Sequence, residues 1–224
     1  MEANELTAQH LARAFLDAGC DKFSRHQYHR VYYPILNELM IQAKPHRRPV
    51  RILEIGIFRG ESLKAFIDFF ENHASYPAFN LTGIDIFVRK KPEEIDILNH
   101  EKVTWYEQDS TKGVPAWEPI PEFDLIIDDG LHTPRAQTLT FDHYYPFLRK
   151  GGSYVIEDVW PLHRMNHQEK QHPWILQHPK DYTDVLHNDL IKAIGERQDI
   201  IVEHDHRSDT GNPDSYIYQI IKGQ

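Results

Sequence analysis

Apolar and polar positions along the chain change period twice. Leu6, Leu11, Phe15 and Ala18 fall on a helical period before Gly19, and Val31, Tyr32, Ile35, Leu36, Leu39 and Met40 repeat that spacing, so two amphipathic helices open the chain. From residue 50 the pattern becomes one of short apolar runs. Val50-Arg51-Ile52-Leu53-Glu54-Ile55 reads as a buried strand, and beyond a turn at Gly56 comes a helix with Leu63, Phe66, Ile67 and Phe70 on one face. Further runs at 81–85, 103–106, 123–127 and 153–156 are separated by helix-length segments. That alternation predicts a parallel sheet covered on both faces. After a helix near 182–194, the runs Ile200-Ile201-Val202 and Tyr216-Ile217-Tyr218-Gln219-Ile220-Ile221 are joined by the turn-rich Asp209-Thr210-Gly211-Asn212-Pro213, too short for a covering helix. The expectation is an α/β protein: a doubly wound, mostly parallel seven-stranded sheet with a C-terminal antiparallel hairpin over 49–224, preceded by a helical extension or cap over 1–48.

Composition narrows the function. At 224 residues and 40% hydrophobic content the chain can bury one sizeable core. A net charge of −9 and the absence of a basic block argue against nucleic acid as partner. Cys20 is the lone cysteine, which leaves neither a disulfide framework nor a thiolate zinc site and fits a reducing cytoplasm. Glu2, Glu5, Arg13 and Asp17 interrupt the first twenty residues. No signal-peptide core and no run of ~18 apolar residues is present, so no membrane association is expected. Histidines number 15; His163, His167, His172 and His178 read as solvated surface. The polar stretch 160–180, with Pro161, Pro173 and Pro179, is either a lid or substrate wall or an irregular surface excursion.

Acids at the ends of the apolar runs carry the chemistry. Glu54-Ile55-Gly56 and Gly60 form a glycine turn that lets backbone approach a ligand, with free N–H groups at the helix that follows. Asp85 ends the next run one β-α-β unit later, where an acid can accept ribose hydroxyls. Asp109 with Ser110 could reach an adenine amino group, or Asp109 could simply cap a helix. The segment Asp128-Asp129-Gly130-Leu131-His132 can set a metal ligand and an imidazole on one side of a ligand, while Asp128 could alternatively cap the next helix. Glu157 and Asp158 end another run, and with Asp129 they make three carboxylates, a donor set suited to a hard cation such as Mg²⁺. Without a cation, several unpaired carboxylates near strand ends would be costly to bury.

In this order, ILEIG with Gly60, the acids Asp85 and Asp109, the IIDDGLH and YVIEDV segments and the terminal hairpin resemble the class I S-adenosylmethionine-dependent methyltransferases. Within that Rossmann-like superfamily they are similar to the metal-dependent macrolide sugar O-methyltransferases and the cephalosporin hydroxylase-like group. Asp21-Lys22, His26, Tyr28 and Tyr32 extend the likeness into the N-terminal segment. The resemblance implies S-adenosylmethionine as methyl donor, held by Glu54, Gly56, Gly60, Asp85 and Asp109, with Ser110 and Asp128 beside them. It implies Mg²⁺ or another hard divalent cation on Asp129, Glu157 and Asp158, and His132 as general base, making His132 and Asp129 the catalytic pair. The acceptor would be a hydroxyl of a sugar, a glycan or a glycosylated small molecule. Leu131 departs from the pattern, which has a small serine there. Rival readings are a metal-dependent hydrolase or phosphoesterase on the same carboxylates, a non-catalytic binding protein of this fold, and an NAD-linked oxidoreductase, for which the three-glycine fingerprint is missing. The N-terminal helices either pair with a second subunit in a homo-oligomer or cover the cofactor.

Overall fold

The structure is a computed structural model that describes residues 3–72, 74–76 and 78–223, with side chains from residue 8 onward; Leu6 of the first helical pattern therefore lies outside the described side chains. The chain opens with α1 (Ala3–Ala18), the short α2 (Asp21–Ser24) and α3 (His29–Ala43). It then alternates through β1 (Val50–Ile55), α4 (Glu61–Asn72), β2 (Phe79–Asp85), β3 (Val103–Glu107), β4 (Phe123–Asp128), α5 (Pro134–Tyr144) and β5 (Leu148–Ile156). The single-turn α6 (Pro173–Gln177), α7 (Asp184–Gly195), β6 (Ile200–Asp205), α8 (Arg207–Thr210) and β7 (Tyr216–Ile221) complete it.

Seven strands form one sheet in the order β3-β2-β1-β4-β5-β7-β6. The first five run parallel, and β7 lies antiparallel between β5 and β6, as the turn-rich loop predicts. From β1 the chain winds outward to β2 and β3, then returns to β4 on the other side of β1. Between β1 and β4, at their carboxyl ends, the winding direction reverses, and open α/β sheets form their ligand crevice at such a point.

Two apolar layers cover the sheet. Phe141 and Tyr144 of α5 and Leu190 and Ile194 of α7 pack on one face with Ile126, Tyr154 and Ile156. On the other, Phe66 and Phe70 of α4 join Leu11 and Phe15 of α1, Tyr32 and Leu36 of α3, and Leu125 and Ile127 of β4. The Phe15 and Tyr32 rings sit 5.4 Å and 5.9 Å from that of Phe66 in edge-to-face geometry. The N-terminal segment is thus part of the sheet's own core, and α3 is held where its side chains reach the strand ends.

The crossovers are less regular than the alternation predicts. Between β2 and β3, and between β3 and β4, only 3₁₀ turns occur among the described residues. Local chemistry accounts for this: Pro92 follows two lysines in the first connection, and Gly113, Pro115, Pro119 and Pro121 interrupt the second, each proline removing a helix donor. Trp117 from that second connection packs edge-on against Phe123, Tyr144 and Phe147.

Candidate active site

The turn after β1 is built by close approach. Gly56 has φ +98°, and a Cβ there would lie 2.0 Å from the Asp129 carbonyl oxygen, so only glycine lets the β1 and β4 turns touch. The Asp129 N–H donates to the Ile55 carbonyl at 2.9 Å and locks them together. Asp85 is fixed by backbone alone: its Oδ2 accepts from the Ile57 and Phe58 N–H groups at 2.8 and 2.9 Å, and its Oδ1 from Phe87 N–H at 2.7 Å. A carboxylate has roughly four acceptor sites, so capacity for a ligand hydroxyl remains. Asp109 caps the 3₁₀ turn at Ser110–Lys112, accepting from Thr111 N–H and Oγ1 at 3.0 and 2.6 Å. Those bonds and Lys112 hold its carboxyl below the ordinary value. The Ser110 hydroxyl pairs with that of Thr140 at 2.9 Å.

A cavity of about 620 Å³ runs from the Gly56 turn past Asp85, Asp109 and Ser110 to Asp129, His132 and Asp158. Seven of the eleven expected site residues line it. Glu54, Gly60, Asp128 and Glu157 do not: they stand behind its wall. Asp128 is buried, with one oxygen 3.4 Å from the Gly130 N–H, and burial pushes its carboxyl up to about 7. It does not cap the helix that follows; Thr133 does, accepting from Ala136 N–H. Glu54 accepts from the Ser62 hydroxyl at 2.6 Å. Burial raises it to about 7, against the pull of Lys22 and Ser62.

Lys22 is the residue to which the sequence reading attached no role. Its side chain is 1% exposed, and its Nζ lies 2.5 Å from Asp129 Oδ2, 2.8 Å from Glu157 Oε2 and 3.7 Å from Glu54 Oε1. Burial works to discharge the ammonium, but Asp129, Glu157 and Glu54 outweigh it and keep its pKa well above the ordinary value. The Tyr32 hydroxyl donates to the other Glu157 oxygen. Tyr28 donates to Asp158 Oδ1 at 2.7 Å, and buried His26 sits 3.5 Å from that oxygen while paired with Ser215 at 2.8 Å. The clue available in the sequence was helical spacing: Tyr32 lies on the buried face of α3 with Val31 and Ile35, and Tyr28, the helix N-cap four residues earlier, is buried too, so their hydroxyls had to meet interior partners.

On the cavity side, His132 Nε2 lies 3.7 Å from Asp129 Oδ1 and 3.9 Å from Asp158 Oδ2. Burial opposes its protonation, yet the carboxylates of Asp158, Asp129 and Asp128 prevail and raise its pKa above the ordinary value. Donor atoms of Asp129, His132 and Asp158 all lie within 4.8 Å of one another, and the two carboxylates among them suit a hard divalent cation, with the imidazole beside it. Asp158 adopts φ +50°, a left-handed conformation that costs a non-glycine residue about 1 kcal/mol or more and is held here by Tyr28.

The 160–180 stretch forms a wall. Trp160 is buried with Leu162, Met165, Ile175 and Tyr182 in a small cluster of its own, whereas Trp174 is 44% exposed and lines the cavity. Trp174 Nε1 donates to the Tyr182 hydroxyl at 2.8 Å, and that hydroxyl donates to the His132 carbonyl at 3.2 Å. His163 is exposed as expected but stacks on buried His187, ring centres 4.9 Å apart. No described helix is long and apolar enough to cross a membrane.

Comparison with known proteins agrees with this geometry. Residues 53–159 match a methyltransferase domain family. Demethylmacrocin O-methyltransferase from Streptomyces fradiae is 30% identical over 166 residues, covering 71% of this chain and 36% of its own. The 8-demethyl-8-(2-methoxy-alpha-L-rhamnosyl)-tetracenomycin-C 3'-O-methyltransferase of Streptomyces olivaceus is 32% identical over 125 residues, 53% of this chain and 30% of that protein. The chain thus spans about a third of the length of these relatives. Among solved structures, the MycE methyltransferase of the mycinamycin pathway, in complex with Mg, SAH and mycinamycin VI, superposes with a TM-score of 0.62 at 22% identity, covering 96% of this chain and 54% of MycE. With the glycine turn, the reversed C-terminal hairpin and the sheet order in place, the chain has the class I methyltransferase fold.

Proposed function

We propose that the protein methylates a hydroxyl of a sugar, a glycan or a glycosylated small molecule, using S-adenosylmethionine and a divalent cation, with His132 as general base. The observation that carries this reading is the convergence of Asp129, His132 and Asp158 on the same cavity that the Gly56 turn and Asp85 enter. The names of the relatives support it, since those two are described as O-methyltransferases of demethylmacrocin and of a rhamnosylated tetracenomycin.

In this reading the Gly56 turn, Asp85, Asp109 and Ser110 hold the donor, whose contribution is a methyl carbon on positively charged sulfur. Asp129 and Asp158 would hold the cation from the cavity side, whereas Glu157, expected as a third ligand, is turned inward to Lys22 and Tyr32. Bound there, Mg²⁺ or a similar cation would supply Lewis acidity toward the acceptor hydroxyl. His132 Nε2 would take the proton of the acceptor hydroxyl, the bound donor supplying the methyl group to its oxygen. Asp129 and Asp158 stabilise the imidazolium that results. Since the methyl is already activated, the walls mainly align oxygen, carbon and sulfur, which by itself is worth roughly 7 kcal/mol or more. Trp174 offers a partly exposed ring to a sugar face.

Calorimetric titration of S-adenosylhomocysteine into protein stripped with EDTA tests donor binding without knowledge of the acceptor. Micromolar affinity is expected, followed by Mg²⁺-dependent methylation in a screen of glycosylated acceptors. No detectable binding would sink the proposal in favour of the hydrolase reading, and full turnover in excess EDTA would remove the cation from it.

A further inference from the structure

Lys22 stands at an unusual place for a lysine. Its ammonium is enclosed by the carboxylates of Glu54, Asp129 and Glu157. Among the described residues it is the one cation paired with Glu54 and with Glu157. The remaining partners of those acids are neutral hydroxyls: Ser62 on Glu54, and Tyr32 on Glu157. Asp129 is shared, with Oδ2 on Lys22 and Oδ1 turned to His132.

We propose that Lys22 is the built-in counter-ion of the carboxylate cluster, a positioning residue that lets the site fold without metal and competes with the divalent cation for Asp129. The inference rests on the cation site proposed above. A buried carboxylate without a partner is strongly destabilising, and removing one member of a buried pair leaves that charge exposed to the low-dielectric interior. One ammonium facing three carboxylates meets this demand from the protein side. The cost falls on the metal: a cation drawing on Asp129 shares that carboxylate with a fixed positive charge a few ångströms away, and like charges at that range repel.

The test is a double-mutant cycle of Lys22→Met and Glu157→Gln, with two readouts on the full chain: Tm in EDTA, and Mn²⁺ affinity from the electron paramagnetic resonance of free Mn²⁺. Lys22→Met should lower Tm in EDTA by roughly 10 °C and bind Mn²⁺ at least about tenfold tighter, so that Mn²⁺ restores most of the lost Tm. Adding Glu157→Gln should recover much of that loss in EDTA, since it removes a charge that Lys22 no longer balances. If Lys22→Met does not fold but the double variant does, the same compensation is demonstrated; failure of both to fold would overturn the proposal. Additive Tm losses, or Mn²⁺ affinity unchanged by Lys22→Met, would reduce Lys22 to a packing residue while leaving the cation site intact. Absence of Mn²⁺ binding in every variant, wild type included, would overturn the competition together with the cation site.

Discussion

Asp85 ends β2 and Asp158 follows β5, both lining the same cavity, yet they are held in opposite ways. Asp85 takes its hydrogen bonds from backbone N–H groups of the two adjoining turns. Asp158 takes its bond from Tyr28, 130 residues earlier in the chain. The contrast extends to the neighbours. Asp109 is bonded to Thr111 and Lys112 within its own turn, whereas Asp129 and Glu157 meet Lys22 from 107 and 135 residues away. The side of the cavity proposed for the donor is organised locally and stays partly open to solvent; the side proposed for the reaction is organised by long-range side chains and is mostly buried. Damage on one side should therefore leave the other standing.

The largest separation of the two sides is expected from His132→Ala. Loss of the base should lower kcat by on the order of 10² to 10⁴ while S-adenosylhomocysteine affinity, set by the other side, hardly changes. Parallel turnover and calorimetry check this, and wild-type turnover would remove His132 from its role.

Protonation should distinguish the sides next. Burial raises the Glu54 carboxyl from its ordinary 4.5 to about 7, so between those values the folded state keeps a proton that the unfolded state releases. Its contribution to stability is therefore lost as pH rises through that window, by up to about 3 kcal/mol. Asp109 works in the reverse sense. Its carboxyl is lowered by Thr111 and Lys112, and the stability it adds at neutral pH disappears on acidification. Denaturant unfolding of Glu54→Gln across pH 4.5 to 7 should show a flatter rise or fall than wild type; an unchanged slope would mean that Lys22 keeps Glu54 ionised throughout.

Asp85→Asn should weaken S-adenosylhomocysteine binding by roughly 10- to 100-fold, the range for a charge-assisted hydrogen bond, and leave Mn²⁺ binding unaltered. A matching loss of Mn²⁺ affinity would mean that the two sides are coupled. The smallest effect is expected from Tyr28→Phe, which removes one bond to Asp158 and should cost about 1–2 kcal/mol in chemical denaturation, with weaker Mn²⁺ binding and no change in donor affinity.

The parts of the site that could be read in advance share one physical property: their determinants are close in sequence. Gly56 marks a turn because only glycine tolerates its φ, and Asp85, Asp109, Asp129 and Asp158 announce themselves as acids ending apolar runs. The sheet, its parallel strands and the reversed hairpin follow from the same periodicity. Illegible were the two missing crossover helices, where prolines overrode the expected length pattern, and the split among the acids. Nothing in the order Glu157-Asp158 says that Asp158 faces the cavity while Glu157 turns inward to Lys22 and Tyr32. Successive residues diverge at a strand end, and which one meets solvent depends on what packs against it.

By its sequence alone, then, the chain determined an α/β sheet with a glycine turn and a row of acids at strand ends, because hydrophobic period and turn chemistry are local properties. Tertiary structure alone decided how those acids are balanced. Packing α1 and α3 into the core beside α4 carries Lys22, His26, Tyr28 and Tyr32 to the strand ends, and contacts across more than a hundred residues are set by how apolar faces pack together, which no local pattern encodes.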